Sequence, residues 1–378
     1  MSRLGVVLIV RNEARWLPQC LHSVRRIADE IVVGDTGSTD GTQDIAAAWQ
    51  AKRIDVPWSN DFAAARNAVL DTAQSDWLLH LDADECLDPA GAAALRGLVD
   101  ADGQGADAIE LTLANYCDAP RAFRWQPVAE PNVYTRGHAG YLAVPLLRLF
   151  RHGRGYHYRG AVHENITESV VAAGGRIARA DITVHHYGYD PGPEVRQAKA
   201  ERYLAIARQA ADAAPAEAKA QHDYAEQAIA LADLETGEHY CRRALAADPA
   251  YLPAAMSLAN VLLTRGALDD AAQLLDAQAA RAPLPPHGEV ARAAIALRRG
   301  QVKEAGQRLD AVLATQPQHI LARLLQARVC DVQDQSAVAQ AHVAAAHEAA
   351  PQSAEVQARW AALRARHAGE AAYEAGDA

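Results

Sequence analysis

The amino-acid sequence predicts an α/β domain with a mainly parallel sheet, followed by an all-α domain of helical repeats. Strand-like and helical segments alternate in the first half, and the second half repeats at 34-residue intervals. A chain of 378 residues is also longer than one ordinary domain. We expect the α/β domain at 1–193, the repeats at 194–366 and a fraying, acidic tail at 367–378.

Four strand-like segments alternate with three helical segments at the start of the chain. Short apolar runs predict the strands, and helical spacing predicts the helices between them. Asp61 is a candidate N-cap for the third helix. The strands are expected at 5–10, 30–35, 52–58 and 76–82, and the helices at 13–27, 40–50 and 61–73. This βαβαβαβ order predicts helices on both faces of the sheet.

Polar side chains follow three of these strands. Arg11 and Asn12 follow the first strand, residues 35–40 the second and residues 82–85 the fourth. Because such sheets bind ligands at the carboxyl ends of their strands, we expect these side chains on one rim. Further strand-like segments should extend the same sheet and form a wall of the site, at 108–113, 145–151 and 181–187.

The second half of the chain has the 34-residue period of the tetratricopeptide repeat. Prolines recur at this interval, at Pro215, Pro249, Pro283, Pro317 and Pro351. Small residues recur in phase, at Ala225, Ala259, Ala293 and Ala327, and at Gly237, Ala271, Ala305 and Ala339. Gly266 and Gly300 mark turns between paired helices. An alanine-rich bundle with accidental spacing would not keep several columns in one register.

The composition limits the classes of partner and the cellular location that we expect. The net charge of −10 disfavours nucleic acid and anionic membranes, but it allows a phosphorylated small molecule. The five cysteines are far apart, which is typical of a reducing cytoplasm. The first residues lack the pattern of a signal peptide, and no apolar run approaches the ~18 residues of a membrane span. We therefore expect a cytoplasmic protein without a membrane span.

The stretch "DWLLHLDADECLD" (76–88) ends an apolar strand with Asp82, Asp84 and Glu85. These acids either cap the next helix and face water, or hold a positive group. His80, within the strand, is expected to be a packed core residue.

Four segments, in order, resemble the family 2 glycosyltransferases, which have the GT-A fold with a Rossmann-like mixed sheet. They are "IVRNEARWLPQCLHSV", "DTGSTDGT", "DFAAARN" and "LDADE". The later "RLFR", "YRGAVHE" and "HHYGYD" look like a bacterial branch with helical repeats behind the catalytic domain, similar to sublancin-type peptide S-glycosyltransferases and lipopolysaccharide-core transferases. The resemblance covers about residues 4–200. It implies sugar transfer from a nucleotide-diphosphate sugar, with a UDP-sugar as the expected donor.

The resemblance implies that Asp82, Ala83 and Asp84 are the D-x-D motif. A hard cation, Mn²⁺ or Mg²⁺, would join its carboxylates to the donor diphosphate. Asp84 is the expected direct metal ligand and a catalytic residue, and Asp82 would reach metal or ribose. Glu85 either orients this loop or caps the next helix.

A histidine is the further expected metal ligand. His163, His185 and His186 compete for that role, and we choose His186, in "HYGY". Because histidine is a softer ligand than Mg²⁺ prefers, it would favour Mn²⁺.

The resemblance also implies a nucleotide-binding set, namely Val10, Asn12, Glu13, Asp35, Thr36, Arg66, Asp82 and Ala83. The chain departs from the commonest family pattern at Thr36, where many members have a second acid. This weakens the assignment of uracil as the base. For Arg66 the competing interpretation is a surface ion pair with Asp61 or Asp71.

Glu164, in "AVHEN", matches the family position of the base that deprotonates the acceptor in an inverting transfer. The acceptor is expected to be a peptide, a protein or a glycan. Aromatic residues offer a wall for it, namely Trp58, Trp125, Tyr134, Tyr141, Tyr156 and Tyr158. The repeats would hold the acceptor or pair two chains as a homodimer.

Two alternatives remain beside this interpretation. A sugar nucleotidyltransferase also uses paired acids, but it usually has a glycine-rich loop after the first strand, which "VRNEARW" lacks. A repeat scaffold with an inactive transferase domain is the other alternative.

Overall fold

The computed structural model describes residues 2–117, 125–128, 130–188, 193–349 and 356–362. Within these ranges, nine strands form one mixed sheet. They are β1 (Leu4–Val10), β2 (Glu30–Asp35), β3 (Lys52–Asp55), β4 (Trp77–His80), β5 (Glu85–Leu87), β6 (Ala108–Tyr116), β7 (Trp125–Pro127), β8 (Gly140–Arg151) and β9 (Ile177–His186).

The strand order of the sheet is β3-β2-β1-β4-β8-β6-β9-β5, with β7 beside β8. Strand β1 pairs in parallel with β2 and β4, and β2 pairs in parallel with β3, as the βαβ order predicted. Strand β8 lies antiparallel between β4 and β6, which confirms that the later strands extend the same sheet. The short β5, which the sequence did not predict, pairs antiparallel with β9.

In the described part of the chain, six α-helices accompany this sheet, namely α1 (Leu17–Val24), α2 (Thr42–Ala48), α3 (Phe62–Leu70), α4 (Pro89–Asp100), α5 (Thr167–Ala172) and α6 (Pro193–Ala213). The predicted N-cap Asp61 begins α3, where its carboxylate accepts from the Ala64 N–H at 2.9 Å.

Helices cover both faces of the sheet. The side chains of β1 point alternately to the two faces and pack there in two different hydrophobic clusters. Val6 and Leu8 pack in one cluster with Leu21 of α1. Val7 packs in the other with Val69 of α3. The carboxyl ends of β1, β2 and β4 therefore open on one rim, between layers of helices.

Between residues 218 and 349, all of which the structure describes, eight further helices form four consecutive pairs, as the repeat predicted. They are α7 (Ala218–Ala230), α8 (Leu234–Ala247), α9 (Leu252–Arg265), α10 (Leu268–Ala279), α11 (Pro286–Arg298), α12 (Val302–Thr315), α13 (Ile320–Val332) and α14 (Ser336–Ala349). The first helices of the pairs begin 34 residues apart, and so do the second helices.

The repeated small residues lie where these helices pack. Every alanine of the two predicted columns is at most 2% exposed. Gly266 and Gly300 adopt the left-handed conformation after α9 and α11, with φ of 77° and 75°. Pro351 lies outside the described residues.

The chain divides into two compact units, and the first extends to Asp212. It therefore includes nearly all of α6, which lies beyond our expected boundary at residue 193. The predicted tail at 367–378 lies outside the described residues. Among the helices that the structure describes, none is long and apolar enough to cross a membrane.

Candidate active site

A cavity of about 700 Å³ opens on the predicted rim of the first unit. The ends of β1, β2, β4 and β9 line it, together with the segment after β3, the segment that carries Glu164, and helices α3 and α6. Its lining residues are Ile9, Val10, Arg11, Asn12, Glu13, Thr36, Trp58, Phe62, Arg66, Asp82, Ala83, Asp84, His163, Glu164, His186, Ala198, Lys199, Arg202 and Tyr203.

The loops after β1 and β2 are joined by hydrogen bonds. Asn12, in the left-handed region at φ 59°, donates its backbone N–H to Ser38 Oγ at 2.9 Å and accepts from the Thr39 N–H at 2.8 Å. The Glu13 N–H donates to Thr42 Oγ1 at 2.8 Å. These bonds fix the two loops as one wall of the cavity.

Asp35 and Thr36 are both buried, but of the two Thr36 alone lines the cavity. The Asp35 Oδ1 atom accepts from the backbone N–H groups of Gly37 and Ser38, while the buried Oδ2 atom has no hydrogen-bond partner. Burial opposes ionisation, but the bonds from Ser38 and Gly37 hold the pKa of Asp35 below its usual value. Thr36 lines the cavity and donates its hydroxyl to the Val10 carbonyl at 3.1 Å, so it can only accept from a ligand.

Glu85 orients the turn at Asp82 to Asp84 and does not cap the next helix, which were the two alternatives left open by the sequence. Its Oε2 atom accepts the Asp82 N–H at 2.9 Å, and its other oxygen pairs with Arg148. Burial raises the pKa of Glu85 to about 7, although Arg148 acts in the opposite direction. The N-cap of α4 is Asp88 instead.

Two buried arginines compensate the negative charge of the Asp82 carboxylate. Its Oδ1 atom lies 2.9 Å from Arg66 Nη2 and its Oδ2 atom 3.6 Å from Arg148 Nη2. Burial opposes ionisation, yet Arg66, with further help from His80 and Arg148, keeps the pKa of Asp82 well below its usual value. His80 is buried as predicted, but it lies among these arginines and Tyr158. Burial and both arginines lower its pKa, although Asp82 acts in the opposite direction.

Asp84 and His186 face each other at the cavity, with 3.3 Å between Oδ2 and Nε2. His186 Nδ1 lies 2.6 Å from Asn115 Oδ1, so its Nδ1–H donates to the amide and its Nε2 atom points toward Asp84. Burial opposes protonation of His186, but Asp84 raises its pKa overall. The sequence did not single out Asn115.

This arrangement fits a divalent cation that is shared with a ligand. Asp84 Oδ2 and His186 Nε2 could supply two ligand atoms, with the imidazole oriented by Asn115. Burial, followed by the carboxylates of Asp84, Asp82 and Asp40, raises the pKa of Glu13 to about 7. Within the described part of the chain, no three His, Cys, Asp or Glu side chains form a metal cage of their own.

The other two histidines are placed differently. His163 lines the cavity in the left-handed region, at φ 52°. His185 lies outside its lining, between Tyr116 and Asp88, at 2.8 and 3.3 Å.

Glu164 lines the cavity and is held by Arg66, whose Nε lies 2.6 Å from Glu164 Oε1. Arg66 thus pairs with Asp82 and Glu164, and the alternative ion pair with Asp61 or Asp71 is wrong. Of the six aromatic residues considered for the acceptor wall, Trp58 lines the cavity. The side chain of Trp125 is not described, and the remaining four lie outside the lining, namely Tyr134, Tyr141, Tyr156 and Tyr158.

Residues 5–182 match the sequence model of Glycosyl transferase family 2. This α/β part of the chain is therefore a family 2 glycosyltransferase domain, which confirms the resemblance found in the sequence.

Three relatives extend this result. The chain is 33% identical over 208 residues to a TPR repeat-containing protein of Synechococcus elongatus, covering 53% of this chain and 46% of that protein. It is 28% identical over 208 residues to the SPbeta prophage-derived glycosyltransferase SunS of Bacillus subtilis, covering 52% and 42%. It is 32% identical over 174 residues to the lipopolysaccharide core biosynthesis glycosyltransferase LpsC of Rhizobium meliloti, covering 43% and 56%. The chain thus spans about half the length of the curated relatives it matches.

Proposed function

We propose that this protein transfers a sugar from a nucleotide-diphosphate sugar, with a UDP-sugar as the expected donor, to a peptide, protein or glycan. The observation that carries the proposal is the meeting of Asp82, Asp84 and Glu164 at one cavity of a family 2 glycosyltransferase domain. The relatives SunS and LpsC, both named glycosyltransferases, support it.

The donor would lie along the rim formed by β1, β2 and β4. The Thr36 hydroxyl offers an acceptor to a base in the cavity, which suits the ring N–H of uracil. Asp35 lies outside the cavity lining, with its buried Oδ2 atom 3.9 Å from Arg53 Nη1, so a contact with the base would require this side chain to become exposed. The remaining nucleotide contacts fall to residues of the same cavity, namely Val10, Asn12, Glu13, Arg66, Asp82 and Ala83.

The residues that would hold a cation are Asp84 and His186, with Asp82 as a further carboxylate at the same turn. A bound Mn²⁺ or Mg²⁺ would neutralise the charge that develops on the leaving diphosphate. The imidazole favours Mn²⁺. Because two arginines already compensate Asp82, we assign Asp84 the more direct role.

Glu164 is the proposed base. It would take the proton of the acceptor as the acceptor attacks the anomeric carbon, while the bond to the diphosphate breaks. Arg66 holds this carboxylate in position at the cavity. A single displacement of this kind inverts the configuration at the anomeric carbon.

The repeats have a proposed role in binding the acceptor or in pairing two chains as a homodimer. The cytoplasm remains the predicted location, on the evidence of the cysteines.

The test is hydrolysis of UDP-, GDP- and dTDP-sugars by the full chain, with and without Mn²⁺. We expect metal-dependent release of one nucleoside diphosphate. It should fall at least about 100-fold in Asp84→Ala, because the charge that develops on the diphosphate loses its stabilisation. The exposed Asp71→Asn is the matched control and should behave as the wild type. No turnover of any donor, together with no binding of a nucleoside diphosphate, would point to an inactive domain on a repeat scaffold.

A further inference from the structure

Helix α6 contributes four residues to the cavity lining, namely Ala198, Lys199, Arg202 and Tyr203. Residues three and four positions apart lie on the same side of a helix, so these side chains form a single wall. The sequence placed α6 with the repeats and gave it no role in the site. Its inclusion in the first unit makes it part of the catalytic domain.

Four lysine and arginine side chains line the cavity, namely Arg11, Arg66, Lys199 and Arg202. Arg66 is paired with Asp82 and Glu164. The Arg202 guanidinium lies 5.5 Å from the ring centre of Trp58. Lys199 Nζ lies 5.5 Å from the ring centre of Tyr203, and among the described residues it has no carboxylate within ion-pair distance.

Lys199 faces the acidic side of the cavity. Its ammonium group lowers the pKa of Glu13, whereas burial and the carboxylates of Asp84 and Asp82 raise it. Lys199 also lines the same cavity as Asp82 and Asp84, so its ammonium group opens on the space that the donor would occupy.

We propose that Lys199 binds the diphosphate of the donor and stays in contact with it as it leaves. This inference rests on the proposed function. A bond forms between the acceptor and the anomeric carbon, the acceptor proton passes to Glu164, and the electron pair of the broken carbon–oxygen bond stays on the diphosphate. The ammonium of Lys199 stabilises that charge as a compact point charge, as lysine does in other phosphate sites.

The experiment is calorimetric titration of the full chain in the presence of Mn²⁺. The probes are UDP and uridine, GDP and guanosine, and dTDP and thymidine. The proteins are the wild type, Lys199→Met, Lys199→Arg and Arg208→Gln. Arg208 is the matched control, because it lies on α6 outside the cavity lining, is 69% exposed and pairs with Asp212.

We expect Lys199→Met to bind the preferred diphosphate about tenfold more weakly, since one charge-assisted contact is lost. Its affinity for the matching nucleoside should stay within about twofold of the wild type. Lys199→Arg should recover most of the diphosphate affinity, and Arg208→Gln should bind both probes as the wild type does.

Three outcomes would overturn the inference, and they are distinguishable. A wild type that binds a diphosphate, beside an unchanged Lys199→Met, removes the role of Lys199 and leaves the proposed function standing. Equal weakening for diphosphate and nucleoside also removes it, because a lost charge acts only on the phosphates. A wild type that binds none of the three diphosphates overturns the proposed function as well.

Discussion

Arg66 and Glu164 meet through a 2.6 Å contact between Nε and Oε1. The same guanidinium reaches Asp82 Oδ1 from Nη2 at 2.9 Å and is only 8% exposed. One buried arginine of α3 thus connects Asp82 to the proposed base. It sets the relative position of two carboxylates that are far apart in sequence.

Replacing Arg66 by methionine should destabilise the fold strongly. The variant keeps much of the side-chain volume but leaves two carboxylates without their shared counter-charge. We expect the free energy of unfolding to fall by about 3 kcal/mol, measured by urea denaturation. Arg208→Met, on the exposed face of α6, should stay within about 0.5 kcal/mol of the wild type. Equal effects of the two substitutions would mean that Arg66 is dispensable for folding.

Removal of the hydrogen bond between Asn115 and His186 should weaken the binding of a cation at the proposed site. In Asn115→Ala the imidazole loses the acceptor that directs Nε2 toward Asp84. We expect Mn²⁺ to bind about tenfold more weakly in the presence of UDP, measured by electron paramagnetic resonance. Asn115→Asp retains an acceptor and should retain the affinity. Wild-type affinity in Asn115→Ala would remove His186 from the proposed ligands.

The raised pKa of Glu13 predicts that the free energy of unfolding depends on pH. Its pKa is raised from 4.5 to about 7, so its stabilising contribution is complete below about pH 4.5 and is lost as the pH rises through 7. Without metal, Glu13→Gln should therefore gain stability relative to the wild type between pH 5 and pH 8, measured by urea denaturation at each pH. Saturating Mn²⁺ should reduce this gain, because a cation stabilises the carboxylate. A difference that does not change with pH would contradict the electrostatic description of the cavity.

The parts of the site that the sequence could predict are those that follow from local periodicity. Strands β1, β2 and β4 have apolar runs that end in polar residues, and parallel pairing brings those ends to one rim. The repeats were predictable because 34-residue spacing survives the variation of individual residues. The strands depend on short windows of sequence, and the repeats depend on a period that recurs along the second half of the chain.

The remaining parts depend on pairing across the sheet. Arg148 of β8 reaches Glu85 of β5, and Asn115 of β6 orients His186 of β9. The residues next to these side chains in the sequence do not indicate which residue of another strand each one contacts. Strand β5 is too short to show a period, and the helical pattern of α6 does not reveal which unit it joins. Side chains on α6 were therefore missed, including Lys199.

Gly237 provides a test in which sequence and structure predict opposite results. The other three repeats have alanine in this column, so the repeat pattern alone would predict that Gly237→Ala stabilises α8. In the structure, however, a Cβ at Gly237 would lie 2.4 Å from Ile229 Cγ1 of α7, and the two helices would have to separate. We expect the free energy of unfolding to fall by about 2 kcal/mol, measured by urea denaturation.

Gly97→Ala is the matched substitution, because a Cβ at this exposed position of α4 would meet no atom within 4 Å. It should raise the free energy of unfolding by about 0.5 kcal/mol, since alanine restricts the unfolded chain and favours the helix. If both substitutions stabilised the protein equally, the close approach of α7 and α8 would not be needed. If Gly237→Ala destabilised the protein while Gly97→Ala stabilised it, the first repeat would need glycine because Ile229 fills the space that a methyl group occupies in the other repeats.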